Sequence, residues 1–198
     1  MRVTDDELAA AADAIRDGGP VVYPTETVYG LAADALDTDA VAGVFDAKGR
    51  SRDDPLSFAF PDWEDALAYV RVDETEREFM AEFLPGPVTV VCEKREGVPD
   101  VLTGGRDRVG VRVPDHEVAL ALLERVAPVT ATSANRSGQP SVTDPGDLDP
   151  AFVDGVDAVL DGGETAGTES TVVDVARGEI LRRGADADTV EAWLQQRA

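Results

Sequence analysis

Hydrophobic and polar positions follow two different periods along the chain, and the segments with helical spacing stand out first. In these segments apolar residues recur every three to four positions, with polar or breaking residues at the ends. The first is the best defined, because Thr4 can cap it, Glu7 completes a capping box and Gly18-Gly19 ends it. The predicted helices cover residues 4–17, 38–47, 61–70, 73–83, 115–126 and 188–197.

Short runs rich in valine and other β-prone residues lie between these helices and predict strands. They cover residues 20–23, 56–60, 88–94, 108–114, 128–135, 157–161, 170–175 and 179–182. Strands and helices alternate irregularly, which predicts an α/β fold with an open, twisted, mixed sheet flanked by helices. We expect a single domain over residues 1–198, since too little chain follows the polar loop at 136–150 for a second one.

The charge of the chain is far from neutral. Hydrophobic residues make up 43% of the 198 residues, enough for a core, but the formal net charge is -22. Lys48 and Lys94 are the only lysines among 18 basic residues. This pattern favours adaptation to high salt, with an ordinary acidic cytosolic protein as the alternative. It argues against nonspecific binding to nucleic acid or to anionic membranes, because phosphates would be repelled.

Cysteine and histidine are almost absent. Cys92 is the only cysteine and His116 the only histidine, so neither an internal disulfide nor a zinc site is expected. No stretch approaches the 18 apolar residues of a membrane span, and the first residues lack the layout of a signal peptide. We therefore expect a cytoplasmic protein with no protein-bound metal.

Four predicted strands adjoin loops of the same character, rich in glycine and hydroxyl side chains. Glycine lets a ligand approach the backbone closely, and ligands in α/β sheets bind beyond strand ends. For any one of these loops an ordinary turn is the favoured interpretation, because the same residues dominate turns. The loops read TETVYG at 25–30, TSANRSG at 132–138, GGETAGTE at 162–169 and RG at 183–184.

Basic residues gather near these loops although the chain is acidic. Lys48, Arg50 and Arg52 form one cluster, Arg106, Arg108 and Arg112 a second, and Arg182-Arg183 a third. Alternate spacing in an extended segment places like charges on one side, where an anion would relieve their repulsion. Pairing with nearby carboxylates is the alternative, and it is strongest for Arg106 and Arg183. The clusters favour a pocket for a polyanion such as a nucleoside triphosphate, without a Walker A or G-x-G-x-x-G motif.

Seven segments in order resemble the YrdC-like family of threonylcarbamoyl-AMP synthases. The resemblance runs from the first helix to Gly184, which suggests the short single-domain form. It implies a YrdC/DHBP synthase-like fold with a deep central cavity. The segments are YPTETVYGL, KGRSRDDPLS, LPGPVTVV, VGVRVPDH, TSANRSG, STVVDV and ILRRG.

The resemblance implies a specific reaction. Family members are nucleotidyltransferases that condense L-threonine, bicarbonate and ATP, with Mg²⁺, into threonylcarbamoyl-AMP and pyrophosphate. The product passes to a separate complex that forms threonylcarbamoyladenosine in tRNA. Direct tRNA binding by this chain is disfavoured by its charge.

Residue by residue, the family's catalytic set falls on basic and polar side chains that would hold phosphate or carbamate oxygens. The matched residues are Lys48, Arg50, Ser133 and Asn135.

The amino-acid site of the family falls on a second set. Thr27 matches a hydroxyl that contacts threonine, and Arg112 matches an arginine suited to holding the substrate carboxylate with two parallel hydrogen bonds. Ala131 and Ser170 match residues that line the same site.

The ATP site of the family falls on a third, overlapping set. Asp54 stands where an asparagine is common, Arg108 where a threonine is usual, and Ala59 where many members have a histidine near the amino acid. The matched ATP-binding residues are Lys48, Arg50, Asp54, Arg108, Ser133, Ser141 and Arg182.

Two alternatives stay open. Related domains occur in hydrogenase-maturation proteins that use carbamoyl phosphate, so a carbamoyl-transfer enzyme is one; the missing companion domains argue against it. A nonenzymatic RNA-binding module is the other, and the net charge of -22 argues against that.

Overall fold

A mixed sheet of ten strands organises residues 3–197, which are the residues that the computed structural model describes. Buried β-prone residues form most of the strands, as in a sheet covered on both sides. The strands are β1 (Val21–Tyr23), β2 (Gly30–Ala32), β3 (Ser57–Ala59), β4 (Val70–Arg71), β5 (Val88–Lys94), β6 (Arg108–Arg112), β7 (Val129–Ser133), β8 (Ala158–Val159), β9 (Thr171–Asp174) and β10 (Glu179–Arg182).

The strand order is β10-β9-β5-β6-β3-β7-β2-β1-β8, and β4 pairs with the far end of β5. The pairs β1–β8, β3–β6 and β5–β9 are parallel and the others antiparallel, so the predicted mixed α/β sheet is confirmed. In the β5–β6 pair, Thr89 lies opposite Arg112 and Val91 opposite Gly110. Because side chains alternate between faces, this register places a row of non-core residues on one face of the sheet centre.

Seven α-helices pack on this sheet within the described residues. The first begins as predicted: the Thr4 side chain accepts from the Glu7 N–H, and the Glu7 carboxylate accepts from the Thr4 N–H at 2.7 Å. The helices are α1 (Asp5–Arg16), α2 (Thr38–Lys48), α3 (Glu74–Phe83), α4 (Asp100–Thr103), α5 (Glu117–Val126), α6 (Pro150–Val153) and α7 (Ala187–Gln195). None of them is both long and apolar enough to cross a membrane.

The two faces of the sheet are covered unequally. Apolar residues of α2, α3, α4 and α7 pack with Phe58, Val90, Val111 and Val173 into one large core on the first face. On the second face, α1 and α5 cover the half that contains β1, β2 and β7, in a smaller core around Tyr23. The rest of the second face, over β5, β6 and β9, is left free of helices and forms the floor of a cavity.

The segment 61–70 departs from its predicted helix. Only a short 3₁₀ turn forms there, at Asp65–Ala68, and the chain then enters β4. Asp62 accepts from the Glu64 N–H at 2.8 Å, and Val70 pairs with Lys94 on β5. The apolar residues at 66–70 thus serve one turn and one edge strand, since pairing with β5 outweighs their helical spacing.

Three short elements were not predicted. Strand β2 begins at Gly30, the last residue of the loop at 25–30, and its three residues are too few to show a period. The helices α4 and α6 have four residues each, which is also too few to show a period. The core in contrast follows the predicted elements, and Trp193 of α7 is buried against Phe79.

Candidate active site

A cavity of about 650 Å³ lies on the second face of the sheet. Its floor consists of alternate residues of the central strands, including Thr89 and Val91 of β5 and Arg108, Gly110 and Arg112 of β6. The residues between them, such as Val90 and Val111, face the core. Strand-end loops alone therefore predict the ligand site incompletely, because side chains on the face of the sheet also line it.

Three of the four glycine- and hydroxyl-rich loops reach this cavity, whereas Arg183 and Gly184 of the fourth do not line it. The loop after β1 supplies a wall, the end of β7 supplies Thr132 and Ser133, and the segment before β9 supplies Glu169 and Ser170. Eight of the twelve predicted site residues line the cavity: Thr27, Arg50, Arg108, Arg112, Ala131, Ser133, Ser170 and Arg182.

Arginine outnumbers carboxylate in the cavity wall. Six arginines and three carboxylates line it, so the cavity has a positive formal charge inside a chain with a net charge of -22. The arginines are Arg50, Arg106, Arg108, Arg112, Arg177 and Arg182, and the carboxylates are Asp107, Glu169 and Asp174.

Carboxylate pairing explains only part of the basic clusters. Arg183 pairs with Asp188 and with Glu191, the latter at 2.9 Å, as expected. For Arg106 that expectation is wrong: its guanidinium lines the cavity and donates to the backbone oxygen of Asp53 at 2.9 Å. Arg52 pairs with Asp46 at 2.9 Å, outside the cavity wall.

Arg112 is the most deeply buried cation of the wall. Its Nη2 donates to Glu26 Oε1 and to Thr27 Oγ1, both at 3.0 Å, and its Nη1 donates to the Gly86 carbonyl at 3.3 Å. Burial lowers the pKa of the guanidinium from its ordinary value, and the adjacent Glu26 carboxylate counteracts this. Arg112 thus keeps its charge. Two hydroxyls lie beside it, those of Thr27 and Thr25, whose Oγ1 atoms are 2.9 Å apart.

A second hydroxyl group lies across the floor, around Ser170. Ser170 Oγ is 3.1 Å from Thr89 Oγ1 and accepts from Arg182 Nη2 at 2.9 Å. Arg182 also pairs with Glu169 at 2.9 Å, and the Ser141 hydroxyl donates to the other oxygen of Glu169. Ser141 itself does not line the cavity, so it contacts the site through Glu169.

Lys48 lies behind the loop that follows β7. Its ammonium donates to the backbone oxygens of Ser133 and Asn135, the latter at 2.7 Å, and it does not line the cavity. Burial lowers its pKa to about 8, helped by the charge of Arg50 and opposed by Glu169. Lys48 therefore fixes the backbone that presents the Ser133 hydroxyl.

Asn135 completes this turn. Its side-chain oxygen accepts from the Ser133 hydroxyl, and its amide donates to the Gln139 carbonyl at 2.6 Å. Asn135, like Lys48, shapes the wall and is not part of it.

Arg50 faces the cavity from the end of α2. Its guanidinium is anchored on backbone oxygens, that of Asp54 at 3.0 Å and that of Pro55 at 3.2 Å. Burial lowers the pKa of Arg50 from its ordinary value. Asp54 is exposed and lies outside the cavity wall, so it acts on the site through Arg50, by its backbone oxygen and by the charge of its carboxylate.

Arg108 lines the floor but is already paired. Its Nη2 donates to Asp174 Oδ1 at 2.9 Å and to the Val91 carbonyl at 2.6 Å, and Glu76 lies 3.8 Å away. The Nε of Arg108 is buried without a hydrogen-bond partner. Most of its positive charge is thus compensated by two carboxylates.

Two carboxylates of the site received no role from the sequence. Glu26 lies between Thr25 and Thr27 in the first loop, and Glu169 directly precedes Ser170. The sequence offered a signal for both, since each is next to a residue that was assigned to the site. The acidic composition hid them, because a carboxylate in this chain is the ordinary case.

Comparisons with known proteins identify relatives of the chain. The Sua5/yciO/yrdC family model, described as telomere recombination, matches residues 13–184. The threonylcarbamoyl-AMP synthase of Pyrococcus abyssi is 45% identical over 88% of this chain and 52% of its own length. A putative threonylcarbamoyl-AMP synthase of Methanocaldococcus jannaschii is 33% identical over 84% of this chain and 79% of its own length.

A solved structure shares the fold. The P. abyssi Sua5 structure complexed with L-threonine superposes with a TM-score of 0.89 and 41% identity, over 96% of this chain and 58% of that one. This chain spans about half the length of its Pyrococcus relative. With a family model matched over most of its residues, the chain belongs to the Sua5/YciO/YrdC family.

Proposed function

We propose that this chain is an L-threonylcarbamoyladenylate synthase, a nucleotidyltransferase that uses L-threonine, bicarbonate and ATP. The observation that carries the proposal is the cationic cavity, which is lined by the buried Arg112 beside the Thr27 hydroxyl and also by Arg50 and Arg182. The names of the relatives, and the L-threonine bound by P. abyssi Sua5, support the same activity.

The amino-acid half of the site is assigned to the region around Arg112. Its guanidinium suits a carboxylate, since arginine forms paired charge-assisted bonds with that group. Thr27 and Ser170 offer hydroxyls to the polar atoms of threonine, and Ala131 leaves room for its methyl group. Each of these residues lines the cavity.

The nucleotide half is assigned to Arg50, Ser133 and Arg182. Two guanidiniums in a partly desolvated wall would neutralise the charge that develops on the phosphates. Lys48 supports them from behind the wall, because it fixes the Ser133–Asn135 backbone and adds positive charge there. Ser141 contributes indirectly, through Glu169.

The reaction needs two steps. The neutral amine of threonine takes up bicarbonate with loss of water and becomes a carbamate. A carbamate oxygen then attacks the α-phosphorus of ATP, the bond to the β-phosphate oxygen breaks, and pyrophosphate leaves. Holding both reactants in one cavity replaces a bimolecular encounter, and good alignment is worth up to about 7–11 kcal/mol.

Magnesium enters this proposal with ATP, as part of the nucleotide substrate. Mg²⁺ is usually held by one or two carboxylates together with substrate phosphates, rather than by a full protein cage. Among residues 3–197, no group of three or more His, Cys, Asp or Glu side chains could hold a metal ion. A metal brought by the triphosphate would neutralise part of the negative charge of the phosphates together with Arg50.

The product is a reactive adenylate, and we propose that it passes in the cytoplasm to a complex that transfers the threonylcarbamoyl group to tRNA. The chain itself would not bind tRNA strongly, because its net charge of -22 opposes the phosphate backbone.

The experiment that tests the proposal measures pyrophosphate release in high salt. Purified protein is incubated with MgATP, bicarbonate and L-threonine, then with bicarbonate or L-threonine left out, and separately with carbamoyl phosphate in place of both. We expect release that requires both threonine and bicarbonate. Release that needs carbamoyl phosphate instead would support the carbamoyl-transfer alternative and contradict the proposal.

A further inference from the structure

The guanidinium of Arg112 has no free edge for a carboxylate. Arginine has five N–H donors, and a carboxylate forms two parallel bonds only with two N–H groups on one edge. Both such edges of a guanidinium include Nη2. In Arg112 the two N–H groups of Nη2 already donate to Glu26 and to Thr27, each at 3.0 Å. A substrate carboxylate can therefore take a full edge only by replacing one of these two.

His116 offers an alternative polar partner for the Glu26 carboxylate. The Oε2 atom of Glu26 is buried and lacks a hydrogen-bond partner, and the same is true of Nδ1 of His116. The two side chains interact electrostatically, and burial lowers the pKa of His116 from its ordinary value. Thr27 is in contrast held by a second hydrogen bond, to Thr25 Oγ1 at 2.9 Å.

Electrostatic repulsion also favours displacement of Glu26 over displacement of Thr27. A substrate carboxylate and the Glu26 carboxylate on one buried guanidinium would repel each other, whereas the neutral hydroxyl of Thr27 would not. Without any carboxylate, Arg112 would be a buried cation with no counter-ion, which is strongly destabilising. The empty site thus needs Glu26 on Arg112, and the occupied site does not.

We propose that Glu26 is an exchangeable counter-ion of Arg112, which the carboxylate of the amino-acid substrate displaces toward His116. Glu26 is in this role a positioning residue that keeps Arg112 charged and oriented while the site is empty. It also weakens substrate binding, since each binding event must displace it. The inference rests on the proposed function, because it takes an amino acid as the ligand of Arg112.

The test compares binding of L-threonine and of L-threoninol, which has no carboxylate, to three proteins by calorimetry in high salt. Glu26→Gln keeps the shape and an oxygen for Arg112 but removes the competing charge. Asp115→Asn removes one charge from an exposed position of the same region and serves as the control.

We expect Glu26→Gln to bind L-threonine about five- to fiftyfold more tightly than the wild type, the range usual for coupled interactions. Threoninol binding should change little, and Asp115→Asn should behave as the wild type with both ligands. Equal or weaker threonine binding by Glu26→Gln would overturn the inference and leave the proposed function intact. A wild type that binds no threonine would overturn both.

Should Glu26→Gln fail to fold, the wild-type structure with bound L-threonine decides. The inference expects Glu26 to lie beyond ion-pair distance, about 4 Å, from Nη2 of Arg112. An ion pair kept at 3.0 Å beside the bound threonine would contradict it.

Discussion

At the scale of single residues, Arg112 makes three hydrogen bonds that a lysine cannot reproduce together. Its planar guanidinium reaches Glu26, Thr27 and the Gly86 carbonyl at once, whereas an ammonium is a single point of charge. We expect Arg112→Lys to raise the KM for L-threonine about 10- to 100-fold, since hydrogen bonds to charged groups contribute about 1.5–3 kcal/mol. The KM for ATP should stay unchanged, as it should for both substrates in the control Arg183→Lys. An unchanged KM for threonine would contradict the role of Arg112.

Lys48 is the residue whose titration should be visible. Burial lowers its pKa to about 8, so the folded protein releases this proton at a lower pH than the unfolded chain does. Between that pH and the ordinary lysine value of about 10.4, the unfolded chain binds more protons, and the Lys48 contribution to the free energy of unfolding rises with pH. Below about pH 8 both states are protonated and the contribution is constant.

Nucleotide binding should weaken as the pH rises, whereas the Lys48 contribution to the free energy of unfolding increases. The neutral amine loses its charge-assisted bonds to the Ser133 and Asn135 carbonyls, so we expect ATP binding to weaken as the pH rises through about 8. Lys48→Met, which has no titrating group, should bind ATP weakly at every pH and show no such step. Titration by calorimetry at several pH values measures this. A wild-type affinity that is flat across this range would contradict the assignment.

Most residues that the sequence predicts for the site line the cavity, but their contacts with one another were not predicted. Lys48 and Asn135 were assigned from motifs as groups that contact substrate, yet they hold the turn behind Ser133. Which of two neighbouring polar residues faces a ligand depends on side-chain direction, which spacing alone does not give in a loop. Glu26 was missed for a related reason, because its role depends on a partner 86 residues away.

At the scale of elements, the strand β6 shows how one segment serves core and cavity. Val109 and Val111 face the core, whereas Arg108, Gly110 and Arg112 face the cavity. The alternation was readable in the sequence, and it correctly placed the arginines on one side. The helix predicted for 61–70 was wrong because pairing of Val70 with β5, a contact far along the chain, outweighed local spacing.

Gly110 of β6 has no room for a side chain. An added Cβ would lie 2.2 Å from Ser57 Oγ and 2.9 Å from Thr89 Cγ2 on the neighbouring strands. We expect Gly110→Ala to lower the free energy of unfolding by about 1–3 kcal/mol, as overpacking usually does. Gly43→Ala, at an open position within α2, should instead raise it by up to about 1 kcal/mol. Denaturant unfolding measures both, and equal effects of the two substitutions would contradict the packing of β3, β5 and β6.

At the scale of the whole molecule, the contrast between a cationic cavity and an acidic exterior dominates. The net charge of -22 implies self-repulsion that salt screens. We expect the Tm to rise with KCl concentration, and a screening gain of about 2–3 kcal/mol would raise it by about 4–12 °C for a chain of this size. An uncharged osmolyte at equal osmolality is the control. A Tm that is independent of salt would contradict the role of self-repulsion.

The most direct test of the central claim is the identity of the product. Purified protein is incubated in high salt with MgATP, ¹³C-bicarbonate and L-threonine, and the mixture is analysed by mass spectrometry. The account predicts threonylcarbamoyl-AMP that carries the ¹³C label, in amounts that fall sharply for Arg112→Lys. Hydrolysis of ATP without a labelled adenylate, or the same adenylate in equal amounts from the variant, would contradict it.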